Sequence, residues 1–408
     1  MRGHVYEHSI MKIKFKTIFF LSCLCCLYVV KAQVRPVVYP LFLFSLDSGI
    51  TGVSQIFDDK IPDNVNCVGL GEVLHGGKEI TEVKSKLVQY FVQKRGYRTF
   101  LFEYPNAAIS LLNYYLSNNE LTSFDTLKII ASNAFKGSVM VQDSSFMNLI
   151  SWLKSFNLTH PTDIVSIKGV DIYGASGTFS DYFMYNFSKL LDSSTKAGID
   201  KNWNKIAVDS IAQIILSWVD VHRMLVKTRL KNFYSDFFYN EQNAQYAIRH
   251  AHLQTTNIYN ASFYRDSLMA ENVEKLSLKQ KSIFWAFNGH VSPFSNFSAG
   301  KMLKANYKDK YYTILTDFSN TATSYIKKNA STTVLPEHFH SKPSTVAYRL
   351  SKRYRIKSGI LFYDEIKDRK KIGTLVESID IRGNTHILGK QSFDALVIVE
   401  DIKPVGPK

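Results

Sequence analysis

Cysteine is scarce in this sequence, and its positions exclude a scaffold held by disulfides. Three of the four cysteines lie among the first 26 residues, within a stretch that we assign below to a removable leader. The fourth, Cys67, falls inside an apolar run, which favours a small buried side chain over a reactive thiol. No intramolecular disulfide and no cysteine-based metal site can form in the remaining chain. The fold must therefore depend on its hydrophobic core.

Long apolar runs are also scarce, because only one segment reaches even the length of an export signal. Residues 17–30 are apolar, residues 11–16 before them are basic, and Val30-Lys31-Ala32 supplies small residues at a cleavage site. A membrane span needs about 20 apolar residues, so this run is too short for one. We predict a signal peptide at residues 1–32 and an exported protein, periplasmic or secreted, with no membrane contact after cleavage.

Internal repeats, low-complexity linkers and dense blocks of like charge are absent. Hydrophobic residues make up 45% of the chain and charged residues 21%, which is typical of a globular protein. Residues 33–408 are predicted to form one elaborated domain. The formal net charge is +15, but the lysines and arginines are scattered along the sequence. We interpret the charge mainly as a solubility feature and expect no nucleic-acid partner.

Two common hydrolase signatures are missing. The sequence has no Gly-x-Ser-x-Gly elbow, which disfavours a serine hydrolase of the α/β type. It has no His-Glu-x-x-His helix of the kind that binds zinc in metalloproteases. The spacing of Gly71, Gly76 and Lys78 faintly echoes a phosphate-binding loop, but Glu79 stands where a serine or threonine should hold magnesium. A nucleotide site is therefore rejected.

What the sequence does contain is a dense polar cluster between a predicted strand and a predicted helix. An apolar run stops at Gly71, and Glu72, His75 and Glu79 follow within eight residues. Apolar residues then recur at three- and four-residue steps over residues 80–91, which predicts a helix. In open α/β sheets, ligands bind where strands pass into helices in this way.

Strands and helices alternate along most of the chain. The predicted strands cover residues 66–70, 98–103, 164–170, 282–287, 311–318 and 395–400, and the predicted helices cover residues 78–95, 107–116, 122–135 and 143–156. This alternation implies right-handed crossovers and parallel strands. We predict an α/β fold with a mostly parallel sheet flanked by helices, and a large helical insertion or cap at about residues 178–276.

Four predicted strands end in side chains that can form hydrogen bonds or titrate. They are Glu72 with His75, Glu103, Asp171, and Asn288 with His290. Because the carboxyl ends of parallel strands meet at one edge of a sheet, we expect these side chains to line one crevice. Each is weak evidence alone, since an aspartate such as Asp171 commonly caps a turn. Two imidazoles placed beside several carboxylates indicate a functional site.

Two chemistries suit that cluster. In the first, a carboxylate orients His75, which then removes a proton from a water that attacks a carbonyl carbon. In the second, Glu72, His75, Glu103 and His290 bind a zinc-like ion that activates the water. Lys78 places a cation beside the site, so we favour the metal-free chemistry and expect neither a metal nor another cofactor.

Other polar residues are less informative. Arg265 lies on a predicted helix and either points into the crevice or forms a structural ion pair. His250 and His252 are two residues apart on a helix and cannot share a face, and we assign both to the surface. His338 and His340 are assigned to a loop.

In combination these motifs resemble the erythromycin esterase family. The matching segments are Gly71-Glu72-x-x-His75-Gly76-x-x-Glu79, Phe102-Glu103, Gly169-Val170-Asp171, Arg265-Asp266-x-x-Met269-x-x-Asn272 and Trp285-Ala286-Phe287-Asn288-x-His290. They occur in the family's order over about residues 67–318.

The resemblance implies hydrolysis of a carboxylic ester or a macrolide-like lactone by water, without a covalent serine intermediate. The residues it implies for catalysis are His75 as the general base, Glu72 and Glu103 as groups that position the base and the water, and His290. The residues it implies for substrate binding are Lys84, Glu79, Asp171, Asn288 and Arg265. The expected partner is a small ester or lactone.

Two positions depart from the family pattern, since Lys78 and Phe287 stand where the family commonly has histidines. Losing the imidazole at Phe287 would weaken stabilisation of an oxyanion or adapt the pocket to another substrate. Two alternatives to the ester hydrolase stay open. One is a metal-dependent hydrolase or peptidase on the same scaffold, and the other is a non-catalytic binder of a large hydrophobic ligand, which would tolerate loss of His75.

Overall fold

The computed structural model describes residues 37–39, 50–118, 123–135, 138–175, 177–178, 231–293, 297–327, 334–366, 374–380, 383–388 and 393–405. The predicted signal peptide lies outside these residues, and so do residues 179–230 of the predicted cap. In the part of the chain that is described, no helix is both long enough and apolar enough to cross a membrane.

Ten strands are described. They are β1 (Cys67–Glu72), β2 (Thr99–Phe102), β3 (Ser166–Gly169), β4 (Ser282–Phe287), β5 (Tyr311–Lys327), β6 (Val334–His340), β7 (Gly359–Phe362), β8 (Thr374–Asp380), β9 (Gly383–Leu388) and β10 (Ala395–Ile402). Eight of them form one sheet in the order β3-β2-β4-β1-β5-β10-β7, with β6 paired to β5. Strands β1 to β5 and β10 are parallel to their neighbours along this order. Only β6 and β7 join the sheet antiparallel, and β8 and β9 pair with each other separately.

The described helices are α1 (Thr51–Phe57), α2 (Lys78–Arg95), α3 (Asn106–Ser117), α4 (Phe124–Ala134), α5 (Ser144–Thr159), α6 (Lys231–Thr256), α7 (Ile258–Ser277), α8 (Asn288–Val291), α9 (Ala299–Tyr307) and α10 (Val346–Tyr354). Helix α2 shows why the local sequence forms these elements. It begins directly after Gly77, the second of two consecutive glycines, and buries Ile80, Leu87 and Phe91 on one side. It ends at Gly96, which has the left-handed conformation (φ 72°) that glycine favours at helix ends.

These observations confirm the predicted fold class, a mostly parallel sheet flanked by helices. The predicted bounds of α2 and β4 agree with the structure, and β1 runs two residues beyond its prediction. The loop prediction for His338 and His340 is wrong, because both residues lie on β6. Their strand is held by pairing to the long extension of β5, a contact that no local pattern in the sequence reveals.

Apolar side chains fill both faces of the sheet. One buried cluster joins the sheet to the helices from α1 to α5, and includes Phe102, Phe146 and Trp285. A second joins the sheet to α7, α9 and α10, and includes Met269 and Leu350. Every residue of β1 is buried, as expected for a parallel strand that is covered on both faces.

The register of the sheet places the ends of β1, β2 and β4 side by side. Glu72 at the end of β1 lies opposite Phe287 at the end of β4, and Phe102 at the end of β2 lies opposite Trp285. The residues that immediately follow these strands therefore meet at the carboxyl edge of the sheet, where the sequence predicts the site.

Candidate active site

Glu72 and His75 are hydrogen-bonded to each other at the end of β1. The turn that joins them to α2 passes through Gly76, whose φ of 70° favours glycine. The Glu72 side chain is only 3% exposed, and its Oε1 pairs with Nδ1 of His75, whose side chain is 43% exposed. This pairing assigns the proton to Nδ1, so Nε2 is left as the proton acceptor.

The second oxygen of Glu72 is held by two buried donors. Oε2 accepts hydrogen bonds from Nζ of Lys84 at 2.9 Å and from Nε1 of Trp285 at 2.6 Å. Lys84 lies on α2, and its ammonium sits 4.0 Å from the centre of the Trp285 ring. Glu72 thus has both oxygens engaged by protein groups.

Burial and charge act in opposite directions on this pair. Burial alone would raise the pKa of Glu72, but Lys84 and His75 outweigh it and hold the pKa below its usual value. Burial lowers the pKa of Lys84 to about 8, although Glu72 opposes that shift. At neutral pH the carboxylate is charged and fixed in place.

Glu103 follows β2 and anchors a second set of groups. Its Oε1 accepts a hydrogen bond from Nη2 of Arg265 at 2.8 Å and lies 3.2 Å from Nε2 of His290. Its Oε2 accepts the backbone N–H of Phe287 at 2.9 Å. Burial would raise the pKa of Glu103, but His290 and Arg265 hold it well below its usual value. Glu103 therefore contacts Arg265 and His290, whereas the sequence-based expectation placed it against His75.

His290 is sandwiched between two carboxylates. Its Nδ1 lies 2.7 Å from Oδ1 of Asp266, and its Nε2 faces Glu103. Burial would lower the pKa of His290, but Asp266 and Glu103 raise it well above the usual value. Both ring nitrogens then donate, so His290 is a fixed cation and not a base.

Arg265 connects this set to the end of β3. Its Nε and Nη2 bind the two oxygens of Asp171 at 2.9 and 2.5 Å, in a bidentate pair. Asp171 also accepts the backbone N–H of Tyr173 at 3.1 Å, so it caps a turn as well. Nη1 of Arg265 lies 3.4 Å from Nε2 of His290, and since both groups are cations neither accepts a hydrogen bond from the other.

Phe287 contacts both the Glu72–His75 pair and the group of residues around Glu103. Its ring lies against the imidazole of His75, with centroids 3.6 Å apart, while its backbone N–H donates to Glu103. The predicted residues that the structure brings together here are Glu72, His75, Lys84, Glu103, Asp171, Arg265 and His290. Trp285 and Asp266 belong to the same cluster and carried no role in the sequence-based prediction, although both fall within segments that resemble the family.

Two predicted residues lie elsewhere. Glu79 accepts the backbone N–H of Lys403 at 2.8 Å, so it fastens the C-terminal segment to the start of α2. Asn288 is fully buried, donates to the carbonyl of Thr316 at 2.6 Å and accepts its N–H at 3.2 Å. Gly71 permits this contact, because a Cβ there would come within 2.4 Å of Oδ1 of Asn288.

The surface assignment of His250 is wrong. Its side chain on α6 is buried, and the ring of Tyr173 packs edge-on against it at 6.2 Å. Burial lowers the pKa of His250, and the charge of Arg265 lowers it further, so the imidazole is neutral. His252, two residues on, is exposed as predicted.

In the described residues, no group of three or more histidine, cysteine, aspartate or glutamate side chains is arranged to hold a metal ion. The four side chains proposed as zinc ligands are instead engaged with one another or with cations. Glu72 binds Lys84, and Glu103 binds Arg265 and His290. A zinc ion would have to displace these partners, so the donor set does not fit it.

Fold and site together define an α/β protein with a histidine–carboxylate pair at the carboxyl edge of its sheet. Residues 92–354 match the model of the family described as "Erythromycin esterase", and the chain belongs to that family. The resemblance seen in the motifs is thus confirmed, and membership supports a hydrolase of that family. No protein of curated function matches the chain significantly.

Three solved structures share the fold. A succinoglycan biosynthesis protein is 17% identical with a TM-score of 0.66, and the match covers 90% of this chain and 95% of that one. A protein from Bacillus cereus is 19% identical with a TM-score of 0.58 and the same coverage. A mutant of the erythromycin esterase EreC, in its open conformation, is 14% identical with a TM-score of 0.61, covering 91% of this chain and 98% of that one.

Proposed function

We propose that the chain is an exported hydrolase that cleaves a carboxylic ester or a macrolide-like lactone with water. One observation carries the proposal. The half-exposed imidazole of His75 is held through Nδ1 by a buried, charged Glu72, which leaves Nε2 to act as the base. Membership of the erythromycin esterase family supports the reaction class.

The reaction begins when Nε2 of His75 takes a proton from water as the water oxygen attacks the ester carbonyl carbon. The resulting imidazolium is stabilised by the carboxylate of Glu72, whose own charge is maintained by Lys84. The tetrahedral intermediate then collapses, the bond to the alcohol oxygen breaks, and His75 returns the proton to that oxygen. The products are the acid and the alcohol, and the base is regenerated.

Water is the nucleophile in this mechanism because Glu72 is the sole hydrogen-bond partner of His75 within the described residues. A serine hydrolase needs its hydroxyl within hydrogen-bond reach of the histidine. The sequence also lacks the Gly-x-Ser-x-Gly elbow that would present such a serine.

Arg265 and His290 supply positive charge for the oxyanion of the tetrahedral intermediate. Arg265 is 22% exposed, and Asp171 and Glu103 bind its Nε and Nη2, so we assign Nη1 to the oxyanion. The imidazolium of His290 lies beside Nη1. Such preorganised donors can lower the barrier of acyl transfer by several kcal/mol, about 2.7–4 kcal/mol for one donor. Glu103 and Asp171 keep these cations in position.

The experiment is an assay of the purified protein against an aryl ester and a macrolide panel, with and without chelator. The variants are His75→Asn and, as a matched control, His252→Asn, which changes an exposed histidine on α6. We expect turnover of at least one ester that resists chelator, falls at least ~100-fold in His75→Asn and is unchanged in His252→Asn.

The other outcomes would replace the proposal. Activity that chelator abolishes would assign the protein to the metal-dependent alternative. Binding of a hydrophobic ligand that persists in His75→Asn, with no turnover of any ester, would assign it to the non-catalytic alternative.

A further inference from the structure

Residues 338–363 contain six lysines and arginines and no aspartate or glutamate. The six are Lys342, Arg349, Lys352, Arg353, Arg355 and Lys357, and all of them are exposed. They lie on α10 and on the turns that flank it, and we call them the basic surface. The sequence-based interpretation treated the net charge as scattered, whereas these six residues lie within sixteen positions and are all exposed; one of them, Lys357, pairs with Glu400 at 2.6 Å.

The fold keeps the charges pointing outward. Helix α10 buries Val346, Ala347 and Leu350 against the sheet, so its apolar side is already occupied. Its opposite side carries Arg349, Lys352 and Arg353. The apolar side of the helix is therefore not available to another partner, and the side turned to solvent is charged.

Two tyrosines lie among the cations. Nζ of Lys352 is 5.5 Å from the ring centre of Tyr348, and the guanidinium of Arg353 is 5.4 Å from that of Tyr354. Both rings are half-buried. Tyrosine beside lysine and arginine is the composition found where proteins meet lipid headgroups.

Arg355 adds a second kind of observation. It occupies the left-handed conformation (φ 57°) directly after α10, the position that glycine favours at helix ends. Its N–H closes the helix onto the carbonyl of Leu350. Arg355 thus adds one more cation at the C-terminus of α10, where the helix dipole favours positive charge.

We propose that the basic surface binds the anionic headgroups of a phospholipid bilayer, as a peripheral contact that leaves the helix folded on the protein. Tyrosines beside the cations, each with an apolar ring and a polar hydroxyl, suit the headgroup region of a bilayer. The proposal departs from the sequence-based expectation of no membrane contact after cleavage, although the predicted export route itself brings the chain to a membrane. Near an anionic bilayer each lysine or arginine contributes about 1 kcal/mol, which corresponds to about fivefold in affinity.

The test is co-sedimentation of the full chain with vesicles of phosphatidylcholine, with and without phosphatidylglycerol. The variant is Lys352→Glu/Arg353→Glu/Arg355→Glu. Its matched control is Lys94→Glu/Lys128→Glu/Lys279→Glu, which reverses three exposed lysines elsewhere and changes the net charge equally. All forms keep the same N-terminal residues, so any contribution of the leader cancels.

We expect binding to require phosphatidylglycerol and to weaken when salt is raised from about 0.05 to about 0.5 M. The affinity should fall at least ~100-fold in Lys352→Glu/Arg353→Glu/Arg355→Glu. It should fall much less in the control triple variant. Arg355→Gly should raise Tm and weaken binding about fivefold, so lost binding is separated from lost folding. Equal loss in both triples, or binding to DNA without binding to vesicles, would overturn the proposal. Ester turnover in solution should stay unchanged in every variant.

Discussion

The ring of His75 lies against the ring of Phe287, with centroids 3.6 Å apart and planes inclined by 32°. Phe287 also donates its backbone N–H to Glu103, so one residue contacts both the predicted base and the carboxylate that holds Arg265 and His290. Stacking on Phe287 limits rotation of the imidazole ring, so Nδ1 stays directed at the carboxylate of Glu72. The base is therefore held in one plane by an aromatic side chain instead of by a second imidazole.

Replacing Phe287 should affect catalysis more than binding. In Phe287→Leu we expect kcat to fall about tenfold with little change in KM, because an aromatic pair contributes about 0.5–1.5 kcal/mol. Phe287→Tyr preserves the ring and should retain most activity. Steady-state kinetics of both variants checks this, and equal activity of Phe287→Leu and wild type would show that the stacking has no catalytic effect.

Removing the charge of Lys84 should destabilise the fold. Lys84→Met leaves the buried Glu72 without its counter-ion, and breaking such a pair costs about 3–5 kcal/mol. Lys84→Arg keeps a cation and should cost roughly half of that or less. The matched control is Lys60→Met, which breaks a partly exposed pair with Glu365 and should cost at most about 1 kcal/mol. Urea unfolding measures all three, and a small loss in Lys84→Met would contradict the account of Glu72.

Arg265 should not tolerate lysine. Arg265→Lys loses the two-point contact with Asp171 and the contact with Glu103, and we expect a loss of about 100-fold in kcat/KM. Arg98 makes a similar two-point contact with Asp163, but that carboxylate is 55% exposed, and Arg98 precedes β2, at the opposite end of the strand from Glu103. Arg98→Lys should keep full activity. Comparable losses in the two variants would mean that Arg265 serves only the fold.

The stability of the protein should depend on pH through Asp317. Burial raises the pKa of Asp317 to about 8, and among the described residues its Oδ2 has no hydrogen-bond partner. In the unfolded chain the pKa is about 3.9, so between these values the folded chain retains a proton that the unfolded chain releases. Stability from this group is therefore full below about pH 4 and is lost as pH rises toward 8.

Asp317→Asn removes this titration and leaves the shape of the side chain. Thermal unfolding at pH 5 and pH 8 should show the wild type losing at least about 3 °C in Tm relative to the variant. A constant difference between the two proteins at both pH values would show that Asp317 is ionised in the folded chain.

The sequence predicts the fold and much of the site because both depend on local patterns. The strand that ends at Glu72 and the helix that follows are visible in apolar spacing and glycine positions. The rule that ligands gather at strand ends brings His75, Glu103 and Asp171 to one edge of the sheet, and in the structure they follow β1, β2 and β3. In a parallel sheet the carboxyl ends of all strands lie at one edge, so the side chains that follow neighbouring strands lie close together.

What local patterns could not provide were contacts between distant segments. Glu79 binds Lys403, which lies more than three hundred residues away, and the first turn of α2 gives no sign of it. His250 is buried because α6 packs beside Tyr173, a residue more than seventy positions earlier in the chain. The role of Trp285 depends on the register of β4 against β1, which sets its indole N–H on Glu72.

The account rests on Glu72 acting through His75, and a double-mutant cycle of kcat/KM tests this most directly. The proteins are wild type, His75→Asn, Glu72→Gln and the double variant, each shown to be folded by thermal unfolding. If the two residues act as one unit, each single variant loses at least ~100-fold and the double variant is little worse than His75→Asn alone. Losses that multiply in the double variant would contradict the account, because Glu72 and His75 would then contribute independently.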